Sequence, residues 1–142
     1  MTPVSIDLTF EVVYPYARTT VWAALTDAKA LAAWLLENDF EPRVGKVFTL
    51  RSPDMGVVTC TVLVLDAPRY MEWSWQHPDL QIPTTVVFTL DEVEGGTRLT
   101  VQHRGPTQVE YRADITAGWP RKLARLLTWL AAAAALAARQ VR

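Results

Sequence analysis

Two histidines, one cysteine and six tryptophans are the side chains on which chemistry in this sequence could turn. His103 follows Leu99 and Val101 at alternating positions, so a strand there points all three the same way, inward. An inward imidazole is either a satisfied structural group or a hydrogen-bonding partner for a ligand oxygen, with a charge that can change near neutral pH. Both readings stay open. His77 shares parity with Trp73 and Trp75 and opens the turn-forming run His77-Pro78-Asp79. With one strand between them the two histidine backbones would lie about 9–10 Å apart, far for a shared metal. No cysteine or carboxylate joins them at zinc-site spacing, so no metal is expected. Cys60 sits mid-strand among valines and threonines with no base nearby in sequence, which reads as a small hydrophobe. No serine stands in a nucleophile elbow, and Glu94-Gly95-Gly96 joins two strands, whereas phosphate binding needs a glycine turn opening a helix. These patterns assign no catalytic residue and no cofactor.

The aromatic residues say more. Between Arg69 and Gln76, Met71, Trp73 and Trp75 share one face, and Tyr70, Glu72 and Ser74 share the other. The polar set faces water, so the two indoles turn inward. The same parity turns Val86, Phe88 and Leu90 inward in the next run, and Phe48 and Leu50 in an earlier one. With Trp34, Trp119 and Leu123 from helices, the candidate ligand-binding set is Trp34, Phe48, Trp73, Trp75, Phe88, His103, Trp119 and Leu123. A surface this rich in rings is either a plain core or the wall of a pocket for a flat, greasy molecule.

The elements that position these groups follow from periodicity and punctuation. Ile6, Leu8, Phe10 and Val12 alternate with polar residues in a first strand. Two short helices follow, over 18–26 and 28–36, with Asp27 as N-cap of the second. Phe40 to Gly45 reads as a connection. Runs 47–51, 57–65, 69–76, 84–90 and 97–104 read as strands, separated by Ser52-Pro53-Asp54, Asp66-Ala67-Pro68, His77-Pro78-Asp79 and Glu94-Gly95-Gly96-Thr97. The Val57–Leu65 run is apolar on both faces, so its inward set is ambiguous.

A long helix is expected from near Asp114 to about Arg139, with a kink or its true start at Pro120. Trp119, Leu123, Leu126, Leu127, Leu130 and Ala134 form its core stripe. Trp129 and Leu136 fall beside that stripe, which suggests a homodimer contact there. The expected class is α+β: an antiparallel sheet of about six strands curved around the last helix, two short helices after the first strand, and one domain over 1–142.

Composition bounds the function. Half the 142 residues are apolar and the formal charge is −1, so no bulk attraction to nucleic acid exists. A single cysteine excludes an internal disulfide. The N-terminus lacks a signal-peptide pattern. Leu126 to Ala138, thirteen residues, falls short of the roughly 18 that a membrane span needs, so a cytoplasmic protein is expected. Residues 115–142 carry five bases, Arg121, Lys122, Arg125, Arg139 and Arg142, and no acid. Cations collected on one helix, the last two suiting its C-terminal dipole, account for this; a contact surface for an acidic partner or a lipid surface is the alternative.

The order of motifs resembles the helix-grip, or START-like (SRPBCC), superfamily. More narrowly it resembles the family homologous to the C-terminal domain of the heat-shock-protein-90 ATPase activator. The resemblance rests on Val21-Trp22-Ala23-Ala24-Leu25-Thr26-Asp27, Trp34, Pro42-Arg43-Val44-Gly45, and Pro68-Arg69 leading to Trp75. It continues through Gly96-Thr97-Arg98-Leu99, His103-Arg104-Gly105 and Gly118-Trp119-Pro120 with Leu123. It implies a sheet gripping the last helix around an interior that, in relatives, holds a small apolar molecule or is filled by side chains. Binding of a small hydrophobic or aromatic ligand is the leading expectation. The alternatives are a co-chaperone-like interaction module and a cyclase-like or hydrolytic enzyme using the same cavity. Cys60 stands where relatives commonly have glycine. The co-chaperone's separate N-terminal domain has no counterpart in these residues, which argues against a chaperone partner.

Overall fold

The structure, a computed structural model, describes residues 2–53 and 56–140. The expected turn residue Asp54 and the expected helix-end cation Arg142 lie outside the described residues. In chain order the elements are β1 (Pro3–Tyr14), α1 (Arg18–Leu25), α2 (Ala28–Trp34), β2 (Glu37–Asn38) and β3 (Val47–Ser52). They continue as β4 (Gly56–Asp66), β5 (Tyr70–Gln76), β6 (Thr84–Val93), β7 (Gly96–Gln108) and α3 (Val109–Gln140). The strands form one antiparallel sheet in the order β1-β7-β6-β5-β4-β3-β2. Seven strands stand where about six were expected. The extra one, β2, pairs only Glu37 with Arg51 and Asn38 with Leu50, too short a run to show periodicity.

Tight turns make β3 to β7 a meander, each strand beside the next, and β1 closes on β7 from Pro3↔Gln108 to Tyr14↔Thr97. Side chains alternate across this sheet as the parity predicts. Met71, Trp73 and Trp75 are buried; Val86, Phe88 and Leu90 are buried; so are Leu99, Val101 and His103, and Phe48 with Leu50. Packing resolves the ambiguous β4 by turning Val58, Cys60 and Val62 inward, and a bulge between Val62 and Val64 shifts its register. On β1 only Ile6 and Tyr14 are buried, because it is an edge strand; Leu8, Phe10 and Val12 stay half-buried.

The last helix differs from its expected outline. It starts at Val109, directly after β7, and runs through Pro120 without a break in assignment. Beyond Arg104, β7 pairs with β1 alone, and Pro106 sits in that stretch, where a missing amide is tolerated. Pro120 is exposed, so the Thr116 carbonyl that it cannot serve faces water. The buried stripe is Trp119, Leu123, Leu126 and Leu130. Leu127 is 43% exposed and Ala134 is also exposed, contrary to the expected stripe. Leu127 lies about 100° round the helix from Leu126, off the buried stripe, and for Ala134 the reason is length. A helix of 32 residues spans about 48 Å, and every described residue after Leu130 is exposed, so its end overshoots the sheet and short helices. No helix among the described residues is long and apolar enough to cross a membrane.

Asp27 caps α2 as expected, its carboxylate accepting from the Ala30 amide at 2.9 Å. Trp34 ends α2 and donates its indole N–H to the Ala24 carbonyl of α1 at 2.9 Å, tying the two helices together. Tyr14 donates its hydroxyl to the Leu123 carbonyl at 2.8 Å, joining the edge strand to the middle of α3.

Candidate functional site

Most of the concave face of the sheet is filled. Phe40 meets Phe48 edge-on at 5.1 Å, Phe48 meets Trp73 at 5.0 Å, Trp73 meets Phe88 at 4.7 Å, and Phe88 meets Trp119 at 6.0 Å. These spacings and tilts are those of packed aromatic pairs. Phe40, which the sequence reading left in a connection, is buried against this row; Asn38 holds it by accepting from its amide at 2.9 Å. The Trp73 indole nitrogen is buried without a hydrogen-bond partner, inside a ring of aromatic faces.

The row opens at one end. A cavity of about 50 Å³ lies between the ends of β5 and β7, the start of β6 and the first turns of α3. Trp75, His103 and Trp119 form its floor, with Thr84 and Thr107 beside them. His77 and Leu80 supply one side, and Tyr111, Ile115, Gly118 and Lys122 the other; Asp114 stands at the rim. Of the eight candidate residues, three therefore reach the cavity: Trp75, His103 and Trp119. Phe48, Trp73 and Phe88 lie in the filled row behind it. Trp34 lies between α1 and α2, and Leu123 sits one turn further along α3 from Trp119.

His103 is held on both sides. The Trp119 indole donates to Nδ1 at 3.0 Å, and Nε2 lies 2.7 Å from the Thr84 hydroxyl, which also lies 3.1 Å from the Trp75 carbonyl. An indole N–H can only donate, so Nδ1 must accept and the ring proton belongs on Nε2. Nε2–H then donates to Thr84, and the Thr84 hydroxyl donates to Trp75. The relay is complete only with a neutral imidazole. Burial acts in the same direction, lowering the His103 pKa to about 4. Of the two open readings, the geometry is that of the satisfied structural group: neither ring nitrogen is free for a ligand, and the charge does not vary near neutral pH. Gly105, at φ +132°, lets β7 approach this relay, since a Cβ there would stand 3.1 Å from Thr84 Cα.

His77 does form a turn, accepting the Asp79 amide at Nδ1. It also walls the cavity, stacking on Tyr111 at 4.2 Å while the Tyr111 hydroxyl donates to Asp79 at 2.9 Å. The turn is thus pinned to the first turn of α3. Lys122 is the other addition. Its pKa is lowered by burial first and by the neighbouring Arg125 and Arg121 next. Gly118, one turn earlier, leaves room for it: a Cβ at 118 would find only the Lys122 Nζ nearby, at 3.6 Å. Sequence reasoning placed Lys122 merely among five helix cations, and only the helix phase relative to Trp119 could have separated it. Cys60 is buried behind the row, and burial raises its thiol pKa, so it stays protonated. Among the described residues no three His, Cys, Asp or Glu side chains gather as metal ligands.

A second hollow, wider and more open at about 460 Å³, runs between α1, α2 and α3 beside Trp129, Leu130 and Ala133.

The family model for Activator of Hsp90 ATPase homolog 1-like protein matches residues 15–131. The chain belongs to that family. Among solved structures, this Activator-of-Hsp90-ATPase-like chain is similar to a protein from Mesorhizobium loti at 26% identity. The match covers 88% of this chain and 96% of that one, with a TM-score of 0.77. The Aha1 dimer from Colwellia psychrerythraea shares the fold at 18% identity, over 88% and 96% of the two chains, with a TM-score of 0.78. DynU16, from the dynemicin biosynthetic locus, shares it at 22% identity over 87% of this chain and 46% of that one, with a TM-score of 0.78. No curated protein matches the sequence.

Proposed function

We propose that this family member binds a small apolar or aromatic molecule in the cavity floored by Trp75 and Trp119. The observation that carries the reading is the break in ring packing. From Phe40 to Phe88 the aromatic side chains close on each other, whereas between Trp75, Trp119 and the His77 turn they leave a space. Indole faces offer area to a flat ligand, and Thr107 offers a hydroxyl to orient it. Phe48, Trp73 and Phe88 support the wall from behind, while Leu123 continues it one turn along α3 and Trp34 ties α1 to α2. The place of DynU16 in a biosynthetic locus agrees with small-molecule chemistry in this fold. Titration with neutral flat aromatics, a fatty acid and a sterol, followed by tryptophan fluorescence, tests the reading. A response is expected from the native chain and not from Gly118→Leu, which drives a side chain into the space. No response to any member of the panel removes the reading.

A second reading concerns assembly. Leu136 is 56% exposed, Trp129 is only half-buried, and the overshooting end of α3 borders the open hollow against α1 and α2. A second copy of this chain suits that face, and a relative of the same fold is a dimer. Sedimentation should show a dimer that Leu136→Glu dissociates; a monomeric native chain at high concentration removes this reading. A chaperone partner draws less support, because Lys122 turns into the cavity and leaves the basic face of α3.

A further inference from the structure

The apolar cavity contains one cation that nothing neutralises. Lys122 is half-buried on the cavity wall, and no ion pair or hydrogen bond of its ammonium occurs among the described residues. Arg121 and Arg125, its neighbours on α3, are exposed and likewise unpaired, so they add positive potential and take none away. On the facing elements the titratable groups are His77, held in its turn, and His103, held neutral by Trp119 and Thr84. Tyr111 is committed to Asp79. Asp114 is the carboxylate on the rim, but it lies eight residues before Lys122, about 12 Å along the helix. A partly desolvated ammonium beside indole faces, with no acid to meet it, is an incomplete pair.

Resting on the ligand-binding reading above, we propose that the ligand is a small aromatic acid bound as its anion. Its carboxylate meets the Lys122 ammonium and its ring lies against Trp75 and Trp119. Size agrees with this placement. About 50 Å³ is well below the roughly 150 Å³ that encloses a benzene ring in an engineered apolar cavity. A ring therefore enters edge-first and leaves its head group at the mouth, where Lys122 stands. Burial and the flanking arginines lower the lysine pKa in the free protein, and a bound anion offsets both effects. Gly118 provides the space beside Nζ that a carboxylate needs.

The test uses three probes of one shape, benzoate, benzamide and benzylamine, with the Trp75 and Trp119 indole N–H signals followed by NMR. Benzoate should bind the native chain about tenfold or more tightly than benzamide, the size expected of a charge-assisted hydrogen bond. Benzylamine should bind least. Lys122→Met should bring the ratio of benzoate to benzamide affinity to about one, whereas Lys122→Arg should keep the preference for the acid. Thermal melts of both variants confirm that they fold. Equal binding of benzoate and benzamide, or a preference that survives Lys122→Met, overturns the acid and leaves the cavity reading standing. If no probe moves either indole signal, both fall together.

Discussion

His103 shows how sequence can place a side chain correctly and still leave its role open. Parity along β7 aims it inward, and it is inward. What decides its chemistry is Trp119, sixteen residues later on another element, whose indole N–H fixes the tautomer. That partner depends on the rotation of α3 against the sheet, which no local pattern encodes. Lys122 was illegible for the same reason. The relay has a pH signature. The folded pKa of His103, about 4, lies below its ordinary 6.5, so the unfolded chain binds more protons between those values. Its contribution is complete above about pH 6.5 and is lost as the pH falls towards 4, a loss of about 3 kcal/mol at the acid end. Urea unfolding at pH 7 and at pH 4.5 should show this fall in the native chain. In His103→Gln, whose amide can accept from Trp119 and donate to Thr84 without titrating, the difference between the two pH values should shrink.

At the scale of elements, the meander and the short helices were legible because each strand carries its own alternation and each turn its own Pro, Asp or Gly. The edges were not. β2 is two residues long, and β7 continues to Gln108 only because β1 pairs with it that far. The start of α3 was expected near Asp114 and lies at Val109 because β7 passes into the helix with no turn between them. The expected break at Pro120 is absent because the helix tolerates that residue on an exposed side. One bond couples the edge strand to this helix: Tyr14 to the Leu123 carbonyl, both groups buried. Tyr14→Phe keeps the ring and removes the hydroxyl, so denaturant midpoints should fall by an amount equal to about 0.5–1.5 kcal/mol. Exchange of amides in β1 should speed up more than exchange in β5, since β1 is the strand the bond ties down.

For the whole molecule, packing and site pull in opposite directions along one row of rings. From Phe40 to Phe88 every ring fills space, and the sequence could not reveal where filling stops because parity gives direction and not depth. The opening at Trp75 and Trp119 depends on a residue with no side chain. Gly118 lies in a helix interior, where glycine is less favourable than alanine by about 0.8–1.0 kcal/mol. An alanine methyl there would meet only the end of a flexible lysine, at an ordinary contact distance. Gly118→Ala should therefore raise the unfolding free energy by about 1 kcal/mol, read from urea curves, while weakening benzoate binding in the NMR titration. Selection makes the outcome concrete. A library sorted only for heat tolerance would enrich alanine at position 118, and its winners would be better helices around a partly plugged pocket. The glycine is a place where survival of the fold and use of the fold can be scored separately.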